Sequence, residues 1–198
     1  MSQRVLLMDV DGVLVTPPSM YGSVMLQRHP ETMLRFFKGP FLEASCGRAD
    51  LPDLLPPLLA ELGYTGTREQ FMLDWFRHED HLNRPLLEAV RALRQDGWPC
   101  YLATNQERHR LHYLLHDMQL SEVVDGELAS CSVGVRKPDP AYYQRVTERL
   151  QRAPGQIVFW DDDPGNVQAA QAAGWQAHLY RDVAQFRQTM SRSEVLLP

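Results

Sequence analysis

Cysteine is scarce in this 198-residue chain: Cys46, Cys100 and Cys131 are odd in number, widely spaced and form no CxxC pair. That argues against a disulfide framework or a thiolate zinc site, and for a reducing, cytoplasmic setting. Long apolar runs are missing as well. The run Val5-Leu-Leu-Met8 is too short for a signal-peptide core, and no stretch approaches the length of a membrane span. Basic charge is not in excess, since 20 Lys and Arg face 25 Asp and Glu for a formal net charge of −5. This balance offers no broad attraction for nucleic acid or an anionic membrane, whereas a small anionic ligand needs only a few local groups. Low-complexity tracts and internal repeats are absent too, and nothing here sets an oligomeric state. What the chain does have is 44% hydrophobic residues, enough for a sizeable core in one domain or one domain plus an insert.

Val5 to Val10 is an unbroken apolar run but for Asp9, closed by Asp11 and Gly12; it reads as a parallel strand covered on both faces. Cys100–Ala103 and Ile157–Trp160 read the same way, with weaker strands expected at Ala177–Tyr180 and near Val123-Val124. Helices fall between them. Asn83 is the expected N-cap of a helix to Asp96 that buries Leu86, Leu87, Val90 and Leu93 and stops at Gly97. Asp139-Pro140 opens a helix to about Arg152, and Pro164 starts an alanine-rich one ended by Gly174. Alternating strand and helix predict a doubly wound, Rossmann-like α/β sheet.

One interval is too long. Asp9 to Thr104 spans 95 positions, whereas a βαβ unit needs roughly 30. Residues 16–83 are therefore expected to form an insert after the first strand, leaving 1–15 and 84–198 as the α/β core. Seven of the 14 prolines lie in the insert. The stripes Leu55, Leu58, Leu59, Leu62 and Phe71, Trp75, Leu82 suggest short helices joined by proline turns, a small helical cap.

The polar clusters sit where strands end. In Asp9-Val-Asp-Gly12 the two carboxylates share a strand face, and Asp161-Asp-Asp-Pro-Gly-Asn166 ends another strand. In open α/β sheets that edge is where ligands bind. Carboxylates gathered so closely repel unless a cation sits among them, and all-oxygen ligands favour a hard ion, most simply Mg²⁺. Thr104-Asn105 brings a hydroxyl and backbone amides to a strand–helix junction, suited to an anion. Lys137, before Pro138-Asp139, adds a cation near a helix start. Together they describe a site for a phosphoryl group.

In order, VLLMDVDGV, CYLATNQ, GVRKPDP and IVFWDDDPGN resemble the four motifs of the haloacid dehalogenase-like (HAD) superfamily, over about residues 4–15 and 84–180. The resemblance implies Asp9 as nucleophile and Asp11 as general acid and base. It implies Thr104 and the Asn105 amide on the phosphoryl oxygens, and Lys137 neutralising charge on Asp9 and the phosphoryl group. Mg²⁺ would bind the Asp9 carboxylate, the Asp11 carbonyl and Asp162, with Asp161 direct or through water. The implied activity is hydrolysis of a small phosphorylated metabolite, with a sugar phosphate as the expected class. Phosphomutases and phosphotransferases of the superfamily share the apparatus, and a catalytically silent binding protein is the rival from another class. Asp11 argues against a dehalogenase, since those relatives lack this second acid.

Other residues have plainer readings beside the functional ones. Asp163 reads as an N-cap rather than a ligand. His109, His112 and His116 share a helical face and read as a solvated or interface stripe rather than metal ligands. His78 and His81 read as surface or hinge residues, with substrate contact the alternative; Arg108, Arg136 and Tyr21 are comparable candidates. Phe71 and Trp75 read as core of the insert rather than a substrate platform.

Overall fold

The structure is a computed structural model that describes residues 4–195. Its centre is a parallel sheet of five strands in the order β3-β2-β1-β4-β5: β1 (Val5–Met8), β2 (Cys100–Leu102), β3 (Gly126–Glu127), β4 (Ile157–Asp161) and β5 (Gln176–Leu179). β1 lies in the middle, paired with β2 and β4 (Leu6 opposite Cys100 and Val158). The apolar run of β1 follows from cover on both faces. Leu6 and Met8 join Leu102, Val158 and Trp160 on one side; Val5 and Leu7 join Ile157, Phe159 and Ala177 on the other.

Eleven helices are described: α1 (Tyr21–Arg28), α2 (Pro30–Lys38), α3 (Pro40–Ser45), α4 (Leu51–Leu62), α5 (Arg68–His78), α6 (Arg84–Gln95), α7 (Arg108–His116), α8 (Ser130–Val133), α9 (Pro140–Leu150), α10 (Pro164–Ala172) and α11 (Val183–Val195). α6 and α11 pack on the first face through Leu86, Val90, Phe186 and Met190. α9 and α10 pack on the second through Tyr142, Tyr143, Val146 and Ala170. The doubly wound sheet expected from the sequence is therefore what forms.

The stretch between β1 and α6 contributes α1–α5 and a third apolar cluster of its own, including Met33, Phe36, Leu51, Leu55, Phe71 and Trp75. Where the chain leaves β1 and where it returns, it runs side by side. Val15 bridges Leu82, Thr16 N–H donates to the His81 carbonyl (2.8 Å) and Asn83 N–H to the Leu14 carbonyl (2.9 Å). Further contacts join this stretch to the sheet layer. Ser130 Oγ donates to the Ser45 carbonyl (2.6 Å), and Gly47, at φ +71°, lies so close to Cys131 that a Cβ there would stand 2.2 Å from its carbonyl oxygen.

Three local expectations need correction. Val123 and Val124 form no strand. They follow a 3-10 turn (Leu120–Glu122) and fill the core, and the short edge strand comes later, at Gly126–Glu127. Here the Asp125 carboxylate accepts from the Cys100 N–H (2.8 Å), bringing Gly126 opposite Tyr101. Pro56 and Pro57 do not make a turn but lie inside α4. Pro56 has no N–H to offer the Pro52 carbonyl, and Arg68 Nη1 donates to that oxygen instead (3.3 Å). By contrast Pro30, Pro40 and Pro52 stand in first helical turns, where no N–H is missed. Asn83 stands at the N-cap position of α6 without capping it: its Nδ2 donates to the Val13 carbonyl (3.0 Å) and to Tyr180 Oη (2.9 Å).

Candidate active site

Parallel strands release their next residues at one edge, and three of them do so here side by side. β1 delivers Asp9 and Asp11, β2 delivers Thr104, and β4 ends in Asp161 followed by Asp162. Lys137 enters from the loop before α9. Its ammonium lies 3.0 Å from Asp9 Oδ1 and 2.5 Å from Asp161 Oδ2, and donates to the Ala103 carbonyl (2.7 Å). Asn105 fixes that loop, its Oδ1 accepting from Lys137 N–H and its Nδ2 donating to the Lys137 carbonyl, both at 2.9 Å. Its side chain is thus committed to positioning the lysine. Thr104 is buried with its hydroxyl 3.5 Å from Gln106 Nε2.

Asp161 is fully buried and well supplied with donors: Lys137, the Asp163 N–H (2.8 Å) and Asn166 Nδ2 (3.1 Å to each oxygen). Asp163 itself caps α10, accepting from Gly165 and Asn166 N–H as expected. Asp162 is the exposed member of the cluster. It lies against Gly12, whose φ is +81° and where a Cβ would stand 2.0 Å from Asp162 Oδ2. Only glycine gives both that backbone and that clearance.

Electrostatics match the geometry. Burial drives the Asp9 carboxyl up to about 7, Lys137 opposing and Asp161 and Asp11 adding to the rise. Burial also works against the Lys137 ammonium, but Asp9 and Asp161 outweigh it and hold the group charged. Asp11 is raised by burial against the pull of Arg110, and Asp162 by burial and by Asp161. Asp9, Asp161 and Asp162 each offer an oxygen within 4.8 Å of the others, the only such group of three found among the described residues. An all-carboxylate set with repelling charges suits a hard divalent cation.

Three side chains in or beside the site escaped the sequence reading. Gln106 Nε2 donates to Asp11 Oδ2 (2.6 Å). Arg110, 3% exposed on α7, places Nη2 3.8 Å from Asp11 Oδ1 and 3.5 Å from Glu79 Oε2. Glu79, also 3% exposed, accepts from the Tyr21 N–H (2.8 Å) and Trp75 Nε1 (3.1 Å). Arg110 had one visible signal, a charge on the same helical face as Leu111 and Leu114; Glu79 had none.

The remaining candidates lie apart from the acidic cluster. His109 Nε2 meets Asp50 Oδ1 (2.7 Å), Arg108 approaches the same oxygen at 3.9 Å, and the His112 and His116 rings meet at a tilt, 4.4 Å apart. His78 pairs with Ser19, and the Tyr21 ring packs on Phe71 and Trp75. His81 is exposed and Arg136 half-buried. Phe71 is core of the helical stretch, while Trp75 belongs both to that core and to a cavity beside Asp11.

Fold and site together define a class: doubly wound α/β proteins with an acidic cluster and a buried lysine at the carboxyl edge of the sheet. Within it, the chain belongs to the haloacid dehalogenase-like hydrolases, whose family model matches residues 52–174. The matched span contains Thr104, Lys137, Asp161 and Asp162 and begins after Asp9 and Asp11. The chain is 29% identical to bifunctional epoxide hydrolase 2 of Rattus norvegicus, covering 93% of this chain and 37% of that protein. It is 29% identical to the sesquiterpene phosphatase astK of Aspergillus oryzae, over 65% of each. It thus spans little more than a third of the first relative and just under two thirds of the second. In fold it resembles a HAD family enzyme of Bacteroides thetaiotaomicron solved with magnesium and inorganic phosphate, with a TM-score of 0.78 at 18% identity over 93% of this chain and 99% of that one. None of the described helices is long and apolar enough to cross a membrane.

Proposed function

We propose that the chain is a Mg²⁺-dependent phosphohydrolase that forms an aspartyl-phosphate on Asp9, acting on a small phosphorylated metabolite, with sugar phosphates the class expected from sequence. The observation that carries this reading is the meeting of Asp9, Asp161 and Asp162, with Lys137 between Asp9 and Asp161 and Asp11 near enough to raise Asp9. Relatives named as phosphatases support it. Asp9, Asp162 and the Asp11 carbonyl would hold the metal; Asp161, its oxygens already shared among donors, would reach it directly or through water. Bound Mg²⁺ would supply the positive charge that lets an anionic carboxylate approach an anionic phosphate.

The chain's own groups divide the rest. An Asp9 oxygen bonds to phosphorus as the bond from phosphorus to the leaving oxygen breaks, and Asp11 gives that oxygen its proton. Asp11, now a carboxylate, takes a proton from water. The water oxygen bonds to phosphorus, the Asp9–phosphorus bond breaks, and phosphate leaves with Asp11 protonated again. Gln106 and Arg110 orient Asp11. Thr104 Oγ1 and the Asn105 N–H hold phosphoryl oxygens, and Lys137 neutralises charge on both partners. We assign residues 1–15 and 84–198 to the catalytic core and 16–83 to a cap whose two linkers lie beside the site. Three free cysteines support a cytoplasmic setting. Transfer of the phosphoryl group to an acceptor other than water uses the same residues, and acceptor trapping separates the two.

Phosphoenzyme trapping tests the assignment. Asp9→Asn is expected to form none. Asp11→Asn is expected to form it from substrates whose leaving group needs no proton, and to release it about 10²–10⁴-fold more slowly. Wild-type turnover by Asp9→Asn would refute the mechanism.

A further inference from the structure

A cavity of about 280 Å³ opens between the helices α1, α2, α3 and α5 and the carboxyl edge of the sheet. Phe37, Phe41, Trp75 and Phe76 line it together with Asp11 and Arg110, whose guanidinium lies over the Phe76 ring, 5.7 Å from its centroid. The aromatic wall is interlocked, with Phe37–Phe41, Phe41–Trp75 and Phe37–Trp75 ring centroids 5.4, 5.6 and 6.1 Å apart. Trp75 Nε1 already donates to Glu79, so the indole turns to the cavity without a free donor. Arg110 is the cation here, but its guanidinium is already engaged, with Glu79 at 3.5 Å and Asp11 at 3.8 Å.

Each feature selects against a class of occupant. A polyhydroxyl group would give up water and find few hydrogen-bond partners along the aromatic wall. A second anionic group would find Arg110 already paired with Glu79 and held beside Asp11. An apolar group gains by leaving water. At roughly 30 Å³ for each water-sized unit, the cavity takes on the order of nine non-hydrogen atoms.

We infer that this cavity receives an uncharged, apolar leaving group of aryl size. The enzyme therefore prefers aryl or short hydrocarbon phosphate monoesters over the sugar phosphates expected from sequence. The inference rests on the phosphohydrolase reading: Asp11 lines the cavity, and in that reading it must reach the leaving oxygen.

The test compares kcat/KM, with Mg²⁺ present, for benzyl phosphate, hexyl phosphate, glucose 6-phosphate, phosphoglycolate and acetyl phosphate. Benzyl and hexyl phosphate are expected to exceed glucose 6-phosphate and phosphoglycolate by about tenfold or more. Calorimetry adds a readout without turnover, with benzylphosphonate expected to bind about tenfold more tightly than methylphosphonate. Phe41→Asn should shrink both ratios and Phe41→Leu should largely restore them, with thermal melts of each variant separating misfolding from lost contact. Acetyl phosphate, too small to fill the cavity, distinguishes the failures. Its turnover together with equal or better use of glucose 6-phosphate overturns the apolar assignment and leaves the phosphohydrolase reading standing. No turnover of any of the esters or of acetyl phosphate overturns both.

Discussion

Three oxygens lie within 3.0 Å of Lys137 Nζ, from Asp9, Asp161 and Ala103. The lysine is buried with them, so its charge is what makes two buried carboxylates tolerable. Lys137→Met keeps the apolar stem and removes the ammonium. It is expected to cost about 3–5 kcal/mol, the usual penalty for leaving a buried charge unpaired, read as a shift in urea midpoint. A variant as stable as wild type would show that the carboxylates relax without the lysine. Lys137 and Asp9 were legible as chemistry because each stands at the end of a local pattern. The partners that aim Asp11 were not. Gln106 is two residues past Thr104 with nothing to mark it, and Arg110 meets Glu79 only because two distant helices dock.

At the scale of elements, the start of α10 separates two adjacent acids. Asp163 caps the helix and Asp162 faces Gly12. Asp163→Ala is expected to cost roughly 1 kcal/mol of stability with little change in Mg²⁺ requirement. Asp162→Ala should reverse the pattern, raising the Mg²⁺ concentration for half-maximal turnover while leaving the urea midpoint nearly unchanged. β5 carries a pH effect. His178 is half-buried against Trp160, with rings 4.8 Å apart, and burial holds its pKa below the ordinary value near 6.5. The unfolded chain therefore binds the proton more readily. This histidine's contribution is complete above pH of about 6.5 and is lost as pH falls through that value toward the folded pKa. His178→Phe should reduce the drop in Tm between pH 7.5 and 5.5; an unchanged drop would assign acid sensitivity to other groups. The element boundaries near 140, 164 and 177 were legible from caps and apolar runs. β3 was not, because a two-residue edge strand carries no period of its own.

For the whole molecule, the acidic cluster is a site of repulsion that the proposed Mg²⁺ would relieve. Adding Mg²⁺ is expected to raise Tm with concentration, by about 2.7 kcal/mol of stabilisation at 100 times Kd, and EDTA should reverse this and abolish turnover. A Tm indifferent to Mg²⁺ from micromolar to 10 mM would remove the cation from this site. Helices α1–α5 are also joined to the sheet edge through one residue. Glu79 follows α5, accepts from the backbone of Tyr21 at the start of α1, and faces Arg110 on α7. One carboxylate thus ties both ends of the helical stretch to the residue that borders Asp11.

The sequence by itself determined the parallel sheet, the length of the segment after β1 and the residues at the strand ends. Each is written in neighbours a few positions apart: apolar runs for strands buried on two faces, caps and prolines for helix starts, acids where a run stops. Only the tertiary structure decided that Asp161 is saturated while Asp162 stays open, that Asn105 serves Lys137 with its side chain, and that Trp75 lines a cavity beside Asp11. Those outcomes depend on which donors and walls arrive from elsewhere in the chain. Burial and pairing are set by segments far apart in sequence, and no local period records them.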